Sequence, residues 1–158
     1  MTRTLLTAIF LTLFSQTAWA ETLLMVCDAK KTKAAYAQDG KVYWKLETGL
    51  FKSTIYFRDK IKWIPWCDID YFKSKSSKTA EFLDGKFDQG DAAGICTRSW
   101  KIYSKDKSKV AYDTIHSYVD FYRLRYETKT DRKINETSEV IIDHKSDCEL
   151  TQNLTGAK

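Results

Sequence analysis

The sequence predicts an all-β fold, mainly antiparallel: a small disulfide-linked β-barrel or β-sandwich of about eight strands, possibly with one short helix. Three observations predict it. Aromatic residues are abundant, with nine tyrosines, eight phenylalanines and five tryptophans, and such side chains suit a pleated, half-buried surface. Short alternating runs recur between Asp-Gly, Thr-Gly and lysine-rich turns, the spacing of sandwiches and small barrels. Four cysteines follow an N-terminal stretch that reads as an export signal.

That stretch has a basic start at Arg3, an apolar run from Leu5 to Phe14, and an A-x-A ending at Ala18-Trp19-Ala20. The pattern is that of a secretory signal peptide. The run is too short to span a bilayer, which takes about 20 apolar residues. Cleavage is expected after Ala20, leaving 138 of the 158 residues as a single exported β-domain, periplasmic or secreted. No later stretch is apolar enough to form a membrane span. The segment carries one basic and no acidic residue, so the net charge falls from +5 to +4. A charge so mild allows loose attraction to anionic surfaces without requiring a nucleic-acid partner.

Cys27, Cys67, Cys96 and Cys148 all lie beyond the signal. An even count behind an export signal reads as disulfides, and no C-x-x-C pair supplies zinc ligands from one turn. Four cysteines allow three pairings, between which the sequence does not choose. The working arrangement is Cys67–Cys96 with Cys27–Cys148, which joins the middle strands to each other and the first strand to the last.

Taken in order, the first strand is expected over Leu23 to Cys27. Ala34 to Gln38 and Lys41 to Glu47 flank Asp39-Gly40, whose positive φ suits a type I′ hairpin. In the second of these, Val42, Trp44 and Leu46 share one face. Leu50 to Phe57 follows. Then comes Ile61 to Phe72, read as a strand with Ile61, Trp63, Pro65, Cys67, Ile69 and Tyr71 facing the core. Pro65 cannot donate to a ladder and marks an edge or bulge. Lys73 to Lys78 reads as loop. Asp84-Gly85 suggests a second hairpin, and 88–94 reads as loop. Ile95 to Tyr103 places Cys96, Arg98, Trp100 and Ile102 on one face. Residues 110–126 fit helix and strand alike; β-branched and aromatic content favours strand from Tyr118, with a short helix before it. Lys129 to Asn135 reads as a polar turn, Glu139 to Asp143 as the last strand, and 149–158 as a frayed tail.

Motifs for nucleotide binding or metalloprotease chemistry are absent, as is the nucleophile elbow. No cofactor and no metal is expected. His116 reads as a packed or surface histidine and His144 as exposed turn. Asp68 and Asp70, two apart, would lie roughly 6.6 Å apart on one face of a strand. They are the only carboxylate pair suited to a small hydrolase or lyase, although two solvated aspartates are the commoner outcome of such spacing. Lysines cluster in turns at 30–33, 73–78 and 105–109, and basic residues again at 129–133. If those turns gather at one end they form a cationic rim for lipopolysaccharide, another anionic envelope polymer or an acidic protein. Arg123 and Arg125 interleave with tyrosines but lack an RNA-binding motif, so nucleic acid is not expected.

The favoured expectation is a non-enzymatic binding domain for a protein, a glycan or a small apolar ligand. Its contact residues would be Trp66, Asp68, Asp70, Ile64, Tyr43, Arg123 and Arg125. The alternatives are the Asp68/Asp70 enzyme and a structural component of the envelope.

Overall fold

The computed structural model describes residues 21–30 and 36–152. The signal segment, Lys31, Lys33, the start of the expected strand at Ala34 and the last residues of the tail lie outside that range. Nine strands form one antiparallel sheet: β1 (Glu21–Asp28), β2 (Lys41–Thr48), β3 (Ser53–Asp59), β4 (Lys62–Pro65), β5 (Ala80–Gln89), β6 (Ala93–Tyr103), β7 (Val110–Asp120), β8 (Arg125–Ile134) and β9 (Thr137–Leu150). Their order is β4-β3-β2-β1-β9-β8-β7-β6-β5. The sheet is curled into a half-barrel, with β4 and β5 as its outer edges. The helix α1 (Ile69–Ser74) sits in the connection between those two edges.

Side-chain alternation builds the concave core. Met25, Cys27, Val42, Trp44, Leu46, Ile55 and Phe57 are all buried, and the registers Met25↔Trp44 and Trp44↔Phe57 place them on one face. Phe72 from α1 stacks on Phe57 at 6.1 Å and on Phe82 at 6.2 Å between ring centroids. One helical side chain thus bridges strands from both sides of the opening. Burying a ring of this size is worth about 1.5–3 kcal/mol, so the helix fills the gap that hydrogen bonds leave.

Both disulfides form as expected. Cys67–Cys96 ties the link between β4 and α1 to β6, and Cys27–Cys148 crosses directly between β1 and β9.

Several local expectations are corrected. Asp39-Gly40 does make a two-residue turn with positive φ at both positions, 51° and 72°, and among the described residues of its upstream arm, 36–38, the pairing is the bridge Gln38↔Lys41. Asp84-Gly85 lies within β5, where the register shifts between Phe82 and Asp84; pairing with the long β6 overrides the turn signal. Residues 110–120 are strand throughout and the chain turns at 121–124. The segment 129–134, expected as turn, continues β8, because threonines alternate with its charges and bury Thr128 and Thr130. The last strand runs on to Leu150 rather than fraying after Cys148, with Glu149 and Leu150 paired to β1.

The stretch Ile61 to Phe72 has the opposite parity to that expected. Phe57 faces the core, and its partner across the ladder is Ile64, so even positions point inward. Trp66 continues that face and is buried, while Ile61 stands at a turn and is exposed. Cys67 then adopts φ of 64°, which breaks the strand and turns the chain into α1. Pro65 sits on the edge strand, where a missing donor is tolerated.

Candidate functional site: a concave cleft at the lysine-bearing end

The strands differ in length, and this creates the site. β1 to β4 are short; β6 to β9 run past them. Their overhang leaves a concave surface that the aromatic core does not fill. A cleft of about 590 Å³ occupies it, lined by Asp113, Ile115, Thr130, Arg132, Ile141, Ile142, Asp143 and His144. The volume is within the usual range for small-ligand sites.

Registers explain the lining. Ile115 lies opposite Thr130, and Thr130 opposite Ile142, across three strands. Asp113 lies opposite Arg132, and the two side chains form a bidentate pair. The carboxylate partner raises the Arg132 pKa further above its ordinary value. Thr128 is opposite His144. His144 Nε2 is buried without a hydrogen-bond partner among the described residues, and an unmatched buried polar atom is costly in a folded protein. The result is an isoleucine floor with a guanidinium on one wall and an unsatisfied imidazole nitrogen.

Deeper in the half-barrel, Arg98 is buried. It donates from an Nη to Ser117 Oγ at 2.7 Å and lies over the rings of Phe72 at 4.6 Å and Trp66 at 5.4 Å. No carboxylate partner is found for it among the described residues. Tyr36 and Tyr126 meet there through their hydroxyls at 3.1 Å.

The meander also sorts the turns. The end of β1, the β3–β4 turn, the C-terminus of α1, the β6–β7 turn and the β8–β9 turn all lie at one end. Lys75 reaches Asp59 at 3.1 Å, and Tyr103 N donates to Thr79 O; both contacts tie those segments together. Lys30, Lys60, Lys73, Lys75, Lys78, Lys105, Lys107, Lys109 and Lys133 therefore gather at the end where the cleft lies. The basic cluster at 129–133 behaves differently from expectation. Lys129 pairs with Asp131 along β8, and Arg132 turns into the cleft.

The residues expected to make contact are not brought together. Trp66 is 2% exposed and packs edge-to-face on Trp44 at 4.6 Å, so it is core and not a stacking platform. Ile64 is half-buried against the same core. Asp68 is the N-cap of α1, accepting from Tyr71 N at 2.9 Å, and Asp70 stands in the first helical turn. Neither is in the lining of the isoleucine cleft, and the helix separates the roles that a strand would have given them in common. Tyr43 is on the convex face, with the Arg58 guanidinium 5.8 Å from its ring. Arg123 lies at the opposite end, 3.8 Å from Asp120, and Arg125 pairs with Glu127 at 2.8 Å.

His116 is on the convex face, its Nδ1 3.1 Å from Thr97 Oγ1. His144, expected in an exposed turn, is part of the cleft. The missed residues carry no motif. Only alternation through 128–132 hints that Thr128, Thr130 and Arg132 share a face.

No family model matches the chain, and no curated protein or solved structure matches it.

Proposed function

We propose that this chain is an exported, non-enzymatic binding domain for an anionic ligand with an apolar portion, such as an acylated or phosphorylated component of the cell envelope. The signal segment delivers it to the periplasm or beyond, with cleavage after Ala20. Its two disulfides suit an oxidising compartment. One observation carries the reading: the isoleucine-lined cleft opens at the end where the lysine turns gather. The apolar portion enters between Ile115 and Ile142, and the lysines steer and hold the charge. A glycan that stacks on aromatic rings is less well served, since the cleft lining contains no aromatic residue.

The test is calorimetric titration with dodecyl phosphate below its micellar concentration, using dodecyl maltoside as the uncharged control. Binding of the phosphate alone, weakening as salt is added, is the expected result. Ile115→Glu should abolish it. Replacing Lys105, Lys107 and Lys109 together by Gln should weaken it and flatten the salt dependence. Ile95→Glu, on the convex face, should leave it unchanged. Equal binding of both amphiphiles, or insensitivity to the first two variants in folded protein, would overturn the proposal.

A further inference from the structure

One hairpin tip departs from ordinary turn chemistry. β3 and β4 are joined by a two-residue turn closed by the pairing Asp59↔Lys62, with Lys60 at φ of 56° and Ile61 at the crest. Turns of this kind usually carry Gly, Asn, Asp or Ser. Here an isoleucine stands 81% exposed between two exposed lysines, Lys60 and Lys62. The tip is held from behind, because Gln38 Nε2 donates to Lys60 O at 2.9 Å. Lys75 reaches Asp59 at 3.1 Å, which brings the C-terminus of α1 and its exposed Lys73 alongside. Tyr103 N donates to Thr79 O at 2.9 Å and joins the β6–β7 turn, where Lys105, Lys107 and Lys109 are exposed. Within these segments the acids are occupied, Asp59 by Lys75 and Asp106 by the hydroxyls of Ser104 and Ser108. Asp39, in the turn behind the tip, leaves the balance basic. Residues 31–35, outside the described range, carry two lysines and no acidic side chain.

We infer that this end docks on an anionic lipid bilayer, with Ile61 inserted at the headgroup boundary and the surrounding lysines on the phosphates. Charge complementarity selects an anionic partner, and the isoleucine selects a bilayer. A soluble polyanion is read by the lysines alone and makes no use of an apolar crest. A bilayer uses both: one small apolar insertion holds only marginally, and a basic surround supplies the second signal that adsorption needs. Long lysine stems let the ammonium groups lie at the phosphate level while Ile61 reaches below it. The opposite end offers the contrast. Phe51, in the β2–β3 turn, is 99% exposed and is the larger side chain. Its described surroundings include the acids Glu21, opposite Thr48 on β2, and Asp91, in the β5–β6 turn beside Gln89, which reaches Ser53. That end supplies apolar surface without the charge that draws a protein to an anionic membrane. The inference rests on the exported placement proposed above and not on the cleft.

Co-sedimentation of the mature chain with vesicles tests this, using phosphatidylcholine alone and an equal mixture of phosphatidylcholine and phosphatidylglycerol. The expected result is binding to the mixed vesicles only, weakening as salt is added. Ile61→Ser should weaken it about tenfold. Ile61→Trp should keep it and add a blue shift of fluorescence on binding, since tryptophan suits the interface. Lys60→Gln with Lys62→Gln should weaken it and flatten its salt dependence. Phe51→Ser should leave it unchanged. No binding to the mixed vesicles, or equal binding to both compositions, overturns the inference. Binding indifferent to Ile61→Ser overturns the insertion and leaves the lysines to a soluble polyanion, for which dextran sulfate is the probe. A loss with Phe51→Ser as large as with Ile61→Ser overturns the choice of end. Ile115→Glu, which should abolish dodecyl phosphate binding, should leave vesicle binding intact, so the two proposals fail separately.

Discussion

Arg132 grips Asp113 from the adjacent strand through two parallel hydrogen bonds, Nε to Oδ1 and Nη to Oδ2, each 2.7 Å long. Asp113 is buried while Arg132 is partly open to the cleft. Hydrogen bonds to charged groups contribute about 1.5–3 kcal/mol where they are not solvent-screened. Arg132→Ala strands a buried carboxylate and should lower unfolding free energy by about 2–3 kcal/mol. Asp113→Asn, which keeps one acceptor, should cost less. Urea unfolding of the two variants gives the comparison.

Trp66 and Tyr43 separate core from surface. Trp66→Ala removes a ring from a packed aromatic cluster and should cost about 3–5 kcal/mol. Tyr43→Ala acts on the convex face and should cost about 1 kcal/mol or less. Comparable losses in thermal unfolding would contradict the burial described for Trp66.

Asp68 is a cap. Asp68→Ala should destabilise the protein by about 1 kcal/mol, as loss of an N-cap does, and Asp68→Ser should recover most of that. Asp70→Ala loses only a charge near the helix start and should cost less. Chemical denaturation of the three variants measures the ranking.

Asp120 makes stability depend on acidity. Burial pushes its pKa up, but hydrogen bonds from the Tyr118 hydroxyl and the Arg123 and Tyr122 amides outweigh it, and the net shift is downward from 3.8. A carboxylate depressed by folding adds stability above its unfolded value, and that stability is lost as pH falls through the folded value. The wild type should therefore weaken below about pH 4. Asp120→Asn should be weaker at neutral pH and flatter across the acid range. Unfolding followed at pH values on either side of 3.8 checks the sign.

The two bridges should differ. In the chain-entropy picture, Cys67–Cys96, with a separation of 29 residues, contributes about 3–4 kcal/mol, and Cys27–Cys148, with 121, about 4–5 kcal/mol. Paired Cys→Ser replacements, compared by denaturant midpoint, test the order.

Much of the fold was legible because period-two alternation is local. Val42, Trp44 and Leu46 share their predicted face, as do Cys96, Arg98 and Trp100. Alternation failed at Ile61 to Phe72, where a positive φ at Cys67 ended the period inside a run apolar on both parities. It also failed at 129–134, where charges spaced by threonines resemble a turn until β7 supplies partners. The cleft was not legible at all. Asp113, Ile115, Arg132 and Ile142 come from three strands and meet only through registers set between them.

The sequence by itself determined the class of fold, the strand-rich segments and the oxidised cysteines, because composition and local periodicity follow from the residues in place. It also placed basic residues in turns. Tertiary structure decided which turns share an end, which side of β4 meets the core, and where β1 stops against β9. Those outcomes depend on pairing between distant segments. The registers that β7, β8 and β9 take against one another assemble the cleft.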